Sequence, residues 1–562
     1  MLSRRDFLQV AAATAAMMPA AGSLGHAASA QKVTQEELLK FDTKGQVTLL
    51  NFTDIHAQIV PLYFREPSVN LGVGEVHGLV PHITGKKLLD HYGLMAGTAN
   101  AYAFTSVDFA ELSKQYGRVG GVAQMTTLVK AIREERPDNT LLIDCGDTWQ
   151  GSYTSLKTDG EDMVDICNKM GVDAMTAHWE FTYGQERVQE LVEKCNFPFL
   201  CGNVQDTEWE EDVFEHTAFF DKGGVKVALI GQAFPYTPVA NPRYMMPEWS
   251  FGIRPQKLQK RIDAAKKEGA ELIVVASHDG FDVDRKLAAT VSGIDVLLTG
   301  HTHDAVPNVI KIGDTLMVAS GSHGKFLARL DVKVENKKIV DHSFKLMPIF
   351  SDVIKPDPEM QELVDSIRGP HNDHINKVVG HSEGLLYRRG NFNGTFDDLI
   401  CQSLLEGRDA EISMSPGFRW GSSLPPGGAI TMDDIYNQTA ITYPNAYRSK
   451  MTGKMIKDIL EDVADNLFNV DPFYQQGGDM VRIGGMGYTI DIHKPMGSRI
   501  SNMVHLKTGK PIEASKEYVV AGWASVNEGT EGPPIWDVVA GYVSNHKTVN
   551  IPENQNVKVI GA

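Results

Sequence analysis

Thiols are scarce in this chain. Its 562 residues include five cysteines: Cys145, Cys167, Cys195, Cys201 and Cys401. None are spaced as C-x-x-C and the number is odd, which argues against a disulfide scaffold or a zinc–thiolate site. Cys195 and Cys201 lie close enough to bridge, but such cysteines are mostly small core residues. Positive charge is short as well. Lys and Arg number 54 against 71 Asp and Glu, a formal net charge of −17. Phosphate contacts need clustered cations, so neither nucleic acid nor an anionic membrane surface is an expected partner. Internal repeats and low-complexity tracts are missing. So is any long apolar run beyond the amino terminus, and the processed chain is expected to be soluble. The length exceeds what one core supports, which predicts two domains.

What is present begins with an address. Ser3-Arg4-Arg5-Asp6-Phe7-Leu8 precedes an apolar, Ala-rich run at 10–21 and the small residues Ala28-Ser29-Ala30. The run is too short to span a membrane and ends in a cleavage pattern. Residues 1–30 therefore read as a signal peptide. Its paired arginines suit the twin-arginine class, which exports folded proteins to the periplasm. Folding first suits a protein that loads metal in the cytoplasm, because metal binding and folding are coupled.

Downstream, short apolar runs end in acidic or His-bearing turns. Val47–Phe52 leads into Asp54-Ile55-His56, and 141–143 into Asp144-Cys145-Gly146-Asp147. Residues 272–276 lead into Ser277-His278-Asp279, and 295–298 into Gly300-His301-Thr302-His303. Further strands are predicted at 225–230, 316–319 and 327–334, with helices at 121–135 and Pro255–Lys267. Continuous apolar runs suit strands covered on both faces, and their alternation with helices predicts an α/β layered domain. The His-, Gly- and Pro-bearing interval 57–118 is long for a loop. It reads equally as a partner-binding excursion or a surface insertion with its own helices; His77, His82 and His91 within it read as surface histidines. Ile354-Lys355-Pro356-Asp357-Pro358 marks a break. A connecting helix is expected at 359–377, then a second, smaller α/β region with a helix at 454–468 capped by Thr452. The expected division is 31–355, a linker at 356–380, and 381–562.

Asp and His at the carboxyl ends of adjacent strands converge on one crevice of an open α/β sheet. The residues so placed are Asp54, His56, Asp147, His278, His301 and His303. Mixed oxygen and nitrogen donors suit Mn, Zn or Fe and not Ca. Two such cations at close range clamp a nucleophile and the substrate oxygens together. Each motif alone is weak; four in order, each behind an apolar strand, are specific.

These motifs resemble those of the metallophosphoesterases of the 5′-nucleotidase family, over nearly the whole processed chain. The resemblance implies a layered metallophosphoesterase domain, a linker helix and a carboxy-terminal substrate domain. It makes Asp147 the bridge between two metals. Asp54, His56 and His303 would complete one site, and His278, His301 and His178 the other. The sequence then departs from the nucleotidase pattern. Ala177-His178-Trp179-Glu180-Phe181-Thr182-Tyr183-Gly184 carries His178 for the usual Asn ligand, Trp179 for the catalytic His and Thr182 for its orienting Asp. The two aromatic clamps for a base are also missing from their expected places near Gly477-Gly478-Asp479-Met480-Val481-Arg482 and Gly522-Trp523.

The same departures are similar to those of the thiosulfohydrolase (SoxB) family of bacterial sulfur oxidation. That resemblance implies two Mn2+ ions, a monomeric periplasmic enzyme, and a sulfur-carrier partner of the SoxYZ type. The reaction implied is release of sulfate from a cysteine-linked S-thiosulfonate. Asp147, His178, Trp179 and Arg419 would form the catalytic group, with Arg419 and Arg482 on the substrate. Trp179 would fill the space of the lost histidine and exclude water. The alternatives are a 5′-nucleotidase or cyclic-nucleotide phosphodiesterase, and a non-catalytic metal-containing binding protein.

Overall fold

The short apolar runs become central strands because both of their faces are covered. In a computed structural model, residues 33–561 are described; the expected signal at 1–30 lies outside them. Val47–Phe52 and Leu272–Ser277 are buried at every position. The first sheet has the order Lys338–Pro348, Phe326–Glu335, Val47–Phe52, Thr140–Asp144, Ala174–Met175. The second runs Ile310–Ile312, Thr315–Ala319, Val296–Thr299, Leu272–Ser277, Val225–Gln232, Thr217–Lys222. In the first sheet Val47–Phe52, Thr140–Asp144 and Ala174–Met175 are parallel and the other two strands antiparallel; in the second, four inner parallel strands are flanked by antiparallel edges. Parallel strands carry their loops at one end, so both sheets deliver their carboxyl-end turns to a common crevice. Helices Pro255–Lys267 and Phe281–Thr290 cover the second sheet through Leu258, Ile262, Phe281 and Leu287.

The connecting helix is shorter than expected. It runs Pro358–Arg368, and Pro370 then breaks it into a 3-10 turn, Gly369–His371, and a last turn, Asn372–Ile375. Proline has no N–H to continue the ladder. Beyond it lie three smaller sheets. Helix Gly453–Phe468 starts where Thr452 accepts the Met455 N–H at 3.2 Å. The five cysteines are free and all but Cys195 are buried. Among the described residues no helix is long and apolar enough to cross a membrane.

The interval 57–118 packs against the rest of the molecule. It does form helices, Gly85–Tyr92, Ala99–Phe104 and Phe109–Tyr116, but its first part is a strap across both halves of the molecule. The Ser423 N–H donates to the Tyr63 carbonyl at 2.7 Å, and Asn70 Nδ2 to Asp304 Oδ1 at 3.1 Å. Glu66 pairs with the buried Lys325 at 2.7 Å. His82 is no surface histidine: its Nε2 is 2.7 Å from Asp282 Oδ2. His77 and His91 are exposed, as expected.

Candidate metal centre

Five strand ends meet at one point. Asp54 and His56 follow Val47–Phe52, Asp147 follows Thr140–Asp144, and His178 follows Ala174–Met175. His278 directly follows Leu272–Ser277, and His301 and His303 follow Val296–Thr299. The seven side chains form two groups, each with all its ligand atoms within 4.8 Å of one another. One is Asp54, His56, Asp147 and His303; the other is Asp147, His178, His278 and His301. Asp147 belongs to both. Asp54, His56, Asp147, His301 and His303 all have φ between 51° and 73°. Left-handed backbone is uncommon outside glycine and clusters at functional sites, where the turns aim side chains that a relaxed strand end could not.

The donor set fits cations. His278 Nδ1 donates to the Cys145 carbonyl, so its Nε2 is the nitrogen left to take a cation or a proton. That nitrogen faces Asp147 Oδ2 at 3.0 Å and Asp54 Oδ1 at 3.7 Å, and has no hydrogen-bond partner. A lone pair aimed at two carboxylates needs a positive charge between them. His56 and His303 meet Nε2 to Nε2 at 3.1 Å, with Asp54 Oδ1 3.1 Å from His303 Nε2 and Asp147 Oδ2 3.6 Å from His56 Nε2. His178 Nδ1 lies 3.2 Å from Asp147.

Charge balance says the same. Burial lowers His56 to about 4 and also lowers His178, with His301 and His303 well below the ordinary histidine value. These four imidazoles are neutral at pH 7 and so able to take cations. Burial pulls His278 down too, but Asp147 and Asp54 outweigh it and hold it at about 10. Burial pushes Asp54 up. Asp147, although burial opposes its ionisation, is held well below the carboxylate range by His178 and His278. In the cation-free chain a proton on His278 supplies the charge that the site lacks.

A layer behind the ligands was not picked out from the sequence. The buried Glu180 carboxylate gathers four main-chain N–H groups: His178 at 2.7 Å, Asp147 at 3.3 Å, Thr148 at 2.6 Å and Trp149 at 3.2 Å. The Trp179 N–H donates to Asp147 Oδ1 at 2.7 Å. His323, buried and stacked on Phe64 at 4.2 Å, accepts the Gly421 N–H at 3.0 Å. Glu180 lies inside the 3-10 turn Trp179–Tyr183, where the strand-end pattern passes over it; His323, four residues past Thr315–Ala319 as His303 is past Val296–Thr299, was within that pattern's reach.

The Trp179 ring lies in the core of the carboxy-terminal half, edge-on to Trp420 at 5.0 Å and to Phe418 at 5.4 Å. Phe418 and Trp420 stack at 3.9 Å, and Trp523 meets Phe418 edge-on at 5.7 Å. Thr182 bonds to Thr442 across the same seam at 2.8 Å. Arg419 lines a cleft of about 530 Å³ with His301, Asp279 and Asp282. Its Nη1 donates to the Thr302 carbonyl at 2.8 Å, and its Nε is 3.3 Å from Asp479. Arg389 donates to the same carbonyl at 2.9 Å. Arg482 does not line this cleft. It is buried against Asp397 and Asp479, at 3.1 Å each, and Asp479 in turn pairs with Arg419.

Comparison with known proteins fits this geometry. The 5′-nucleotidase C-terminal domain family matches residues 378–540. The sulfate thiohydrolase SoxB of Thermus thermophilus, solved with glycerol, superposes with a TM-score of 0.90 at 35% identity, covering 93% of this chain and 98% of that one. The chain belongs to the SoxB branch of the 5′-nucleotidase family. More distant relatives include the 5′-nucleotidase of Rattus norvegicus, 23% identical over 74% of this chain and 78% of that one. The trifunctional nucleotide phosphoesterase YfkN of Bacillus subtilis is 24% identical over 68% of this chain, which spans only 29% of YfkN. In this chain the crevice, the shared Asp147 and the arginine-lined cleft lie together, with Trp179 beside the candidate ligands.

Proposed function

We propose that this chain is a periplasmic dimetal thiosulfohydrolase. It would release sulfate from a cysteine-linked S-thiosulfonate on a sulfur-carrier protein of the SoxYZ type, acting as a monomer. The reaction is carrier–S–S–SO3− + H2O → carrier–S–S− + SO4(2−) + 2 H+. Water oxygen bonds to the sulfonate sulfur, the S–S bond breaks, and its electron pair leaves with the persulfide. The observation that carries the reading is Trp179. A phosphate ester expels a basic alkoxide and gains from a positioned acid. A persulfide anion is stable near neutral pH and needs none, and an indole offers no transferable proton.

Two cations, manganese on this reading, would be held by Asp54, His56, Asp147 and His303 and by Asp147, His178, His278 and His301. They would supply Lewis acidity and charge stabilisation. The chain's own residues do the rest. Arg419 presents a planar fork at the cleft wall for the sulfonate oxygens. Trp179, 5% exposed, keeps water from the leaving sulfur. Asp147 and the Glu180-bound loop hold the ligands in place. Residues 31–355 would carry the metals, 356–380 the link and 381–562 the substrate walls, after twin-arginine export directed by residues 1–30. A nucleotide substrate is disfavoured because Phe418 stacks on Trp420 and meets Trp523 edge-on, which leaves no open slot between these rings for a base.

The test is turnover by purified, manganese-loaded protein. Sulfate from an S-sulfonated carrier supports the proposal. Phosphate from AMP without sulfate release assigns a nucleotidase, and no product from either assigns a binding role. In Trp179→His, sulfate release should fall with two cations still bound; new phosphatase activity would identify the missing donor as its barrier.

A further inference from the structure

The carboxy-terminal half touches the metal-ligand loop through main chain alone at one place. His301 Nε2 lies 2.9 Å from the carbonyl oxygen of Gln476. That carbonyl accepts, so the ring carries its proton on Nε2 and presents Nδ1 as a lone pair. Gly477 follows with φ +73°. A Cβ built on it would overlap His301 Nε2 and lie 2.8 Å from Cδ2. The ring has no room to retreat, because Phe234 packs against it at 4.2 Å and His178 at 5.0 Å. The turn is itself anchored: the Gln476 N–H donates to the Asn466 carbonyl at 2.9 Å, on helix Gly453–Phe468. The next residue of the ligand loop, Thr302, is held by Arg389 and Arg419 on its carbonyl. Three contacts from the second half therefore close on His301-Thr302-His303.

We infer that the Gln476-Gly477 turn is a positioning element of the metal centre. It selects the His301 tautomer that leaves Nδ1 free for a cation, and residue 477 is glycine because the backbone must approach that ring. The inference rests on the dimetal reading of the seven-residue cluster. It makes the second half a contributor to metal affinity as well as a wall of the substrate cleft. Partners of ligating histidines fix the tautomer and ring orientation, and their loss costs about 10- to 100-fold in metal affinity.

Gly478 provides the control. Its φ is +75°, and an added Cβ would meet only the Gly417 carbonyl, at an ordinary 3.6 Å. Gly477→Ala and Gly478→Ala thus carry similar backbone strain, but only the first presses on His301. Full-length protein is stripped with a chelator and titrated with Mn2+ by calorimetry, with electron paramagnetic resonance of the loaded forms. The parent and Gly478→Ala should bind two ions with a coupled dinuclear spectrum. Gly477→Ala should bind one of them about 10- to 100-fold more weakly and give a mononuclear spectrum. Equal affinities in the parent and Gly477→Ala overturn the inference alone. Equal losses in both variants overturn it in favour of turn strain. A parent that binds no Mn2+ overturns the dimetal reading with it. Should Gly477→Ala not fold, nitrogen NMR of histidine-labelled, metal-free parent decides, with His301 assigned by His301→Gln. The Nε2–H tautomer is expected, and Nδ1–H overturns the inference.

Discussion

Glu180→Gln is the sharpest probe of how the centre is held. The native carboxylate accepts on both oxygens: Thr148 and Trp149 donate to one, His178 and Asp147 to the other. Glutamine keeps the shape and one acceptor oxygen. Its amide group must then face two main-chain N–H donors, whichever way it turns. Hydrogen bonds to a charged group contribute about 1.5–3 kcal/mol each. One of the Oε2 pair is long, at 3.3 Å, so the combined loss is about 3 kcal/mol at the low end of that range. At about 1.4 kcal/mol per tenfold, this is about a hundredfold in affinity if it is felt entirely in the metal-binding conformation. The assay is calorimetric titration of Mn2+ into chelator-stripped protein, with circular dichroism to confirm the fold. A folded Glu180→Gln protein with parental affinity for both ions would refute the idea that this carboxylate holds Asp147 and His178 in place.

The shared carboxylate should separate from its neighbours: Asp147→Asn should lose both ions and His303→Ala one, read as metal per chain after gel filtration. Glu66→Ala leaves the Lys325 ammonium buried without its partner. Breaking such a pair costs about 3–5 kcal/mol, visible as a lower denaturation midpoint, and Glu66→Gln should cost less. Burial raises the Asp144 carboxyl to about 8. Between the unfolded value near 4 and pH 8 the folded chain holds a proton that the unfolded chain releases, so this residue's contribution to stability declines as pH rises through that window. Metal-free Asp144→Asn, which cannot ionise there, should show a flatter decline than the parent between pH 5 and 8.5 in denaturant titrations; identical slopes would reject the assignment.

The clustering of the candidate ligands, His178 apart, was legible because each follows an apolar run that must be buried, so a polar side chain at its end has few reasons to be there. Val47–Phe52 and Leu272–Ser277 show the rule at work. His178 needed the family resemblance, since the strand before it, Ala174–Met175, is two residues long. The strap at 57–118 was unreadable. Its partners, such as Asp304, Lys325 and Ser423, lie hundreds of residues away. Arg482 illustrates a different limit: sequence identifies a guanidinium but cannot say that Asp397 and Asp479 already occupy it. The linker helix was overextended because its pattern continues past Pro370, where the backbone cannot.

The placement of Trp179 reaches beyond its neighbours. Its backbone belongs to the ligand loop, but its ring belongs to the hydrophobic interior of the other half, among Phe418, Trp420 and Trp523. A hinge swing wide enough to admit a bulky molecule would have to pull that indole into water and tear the Thr182–Thr442 seam. On the function proposed above, the reacting group would arrive as a thin appendage past Arg419, while the body that carries it stays outside.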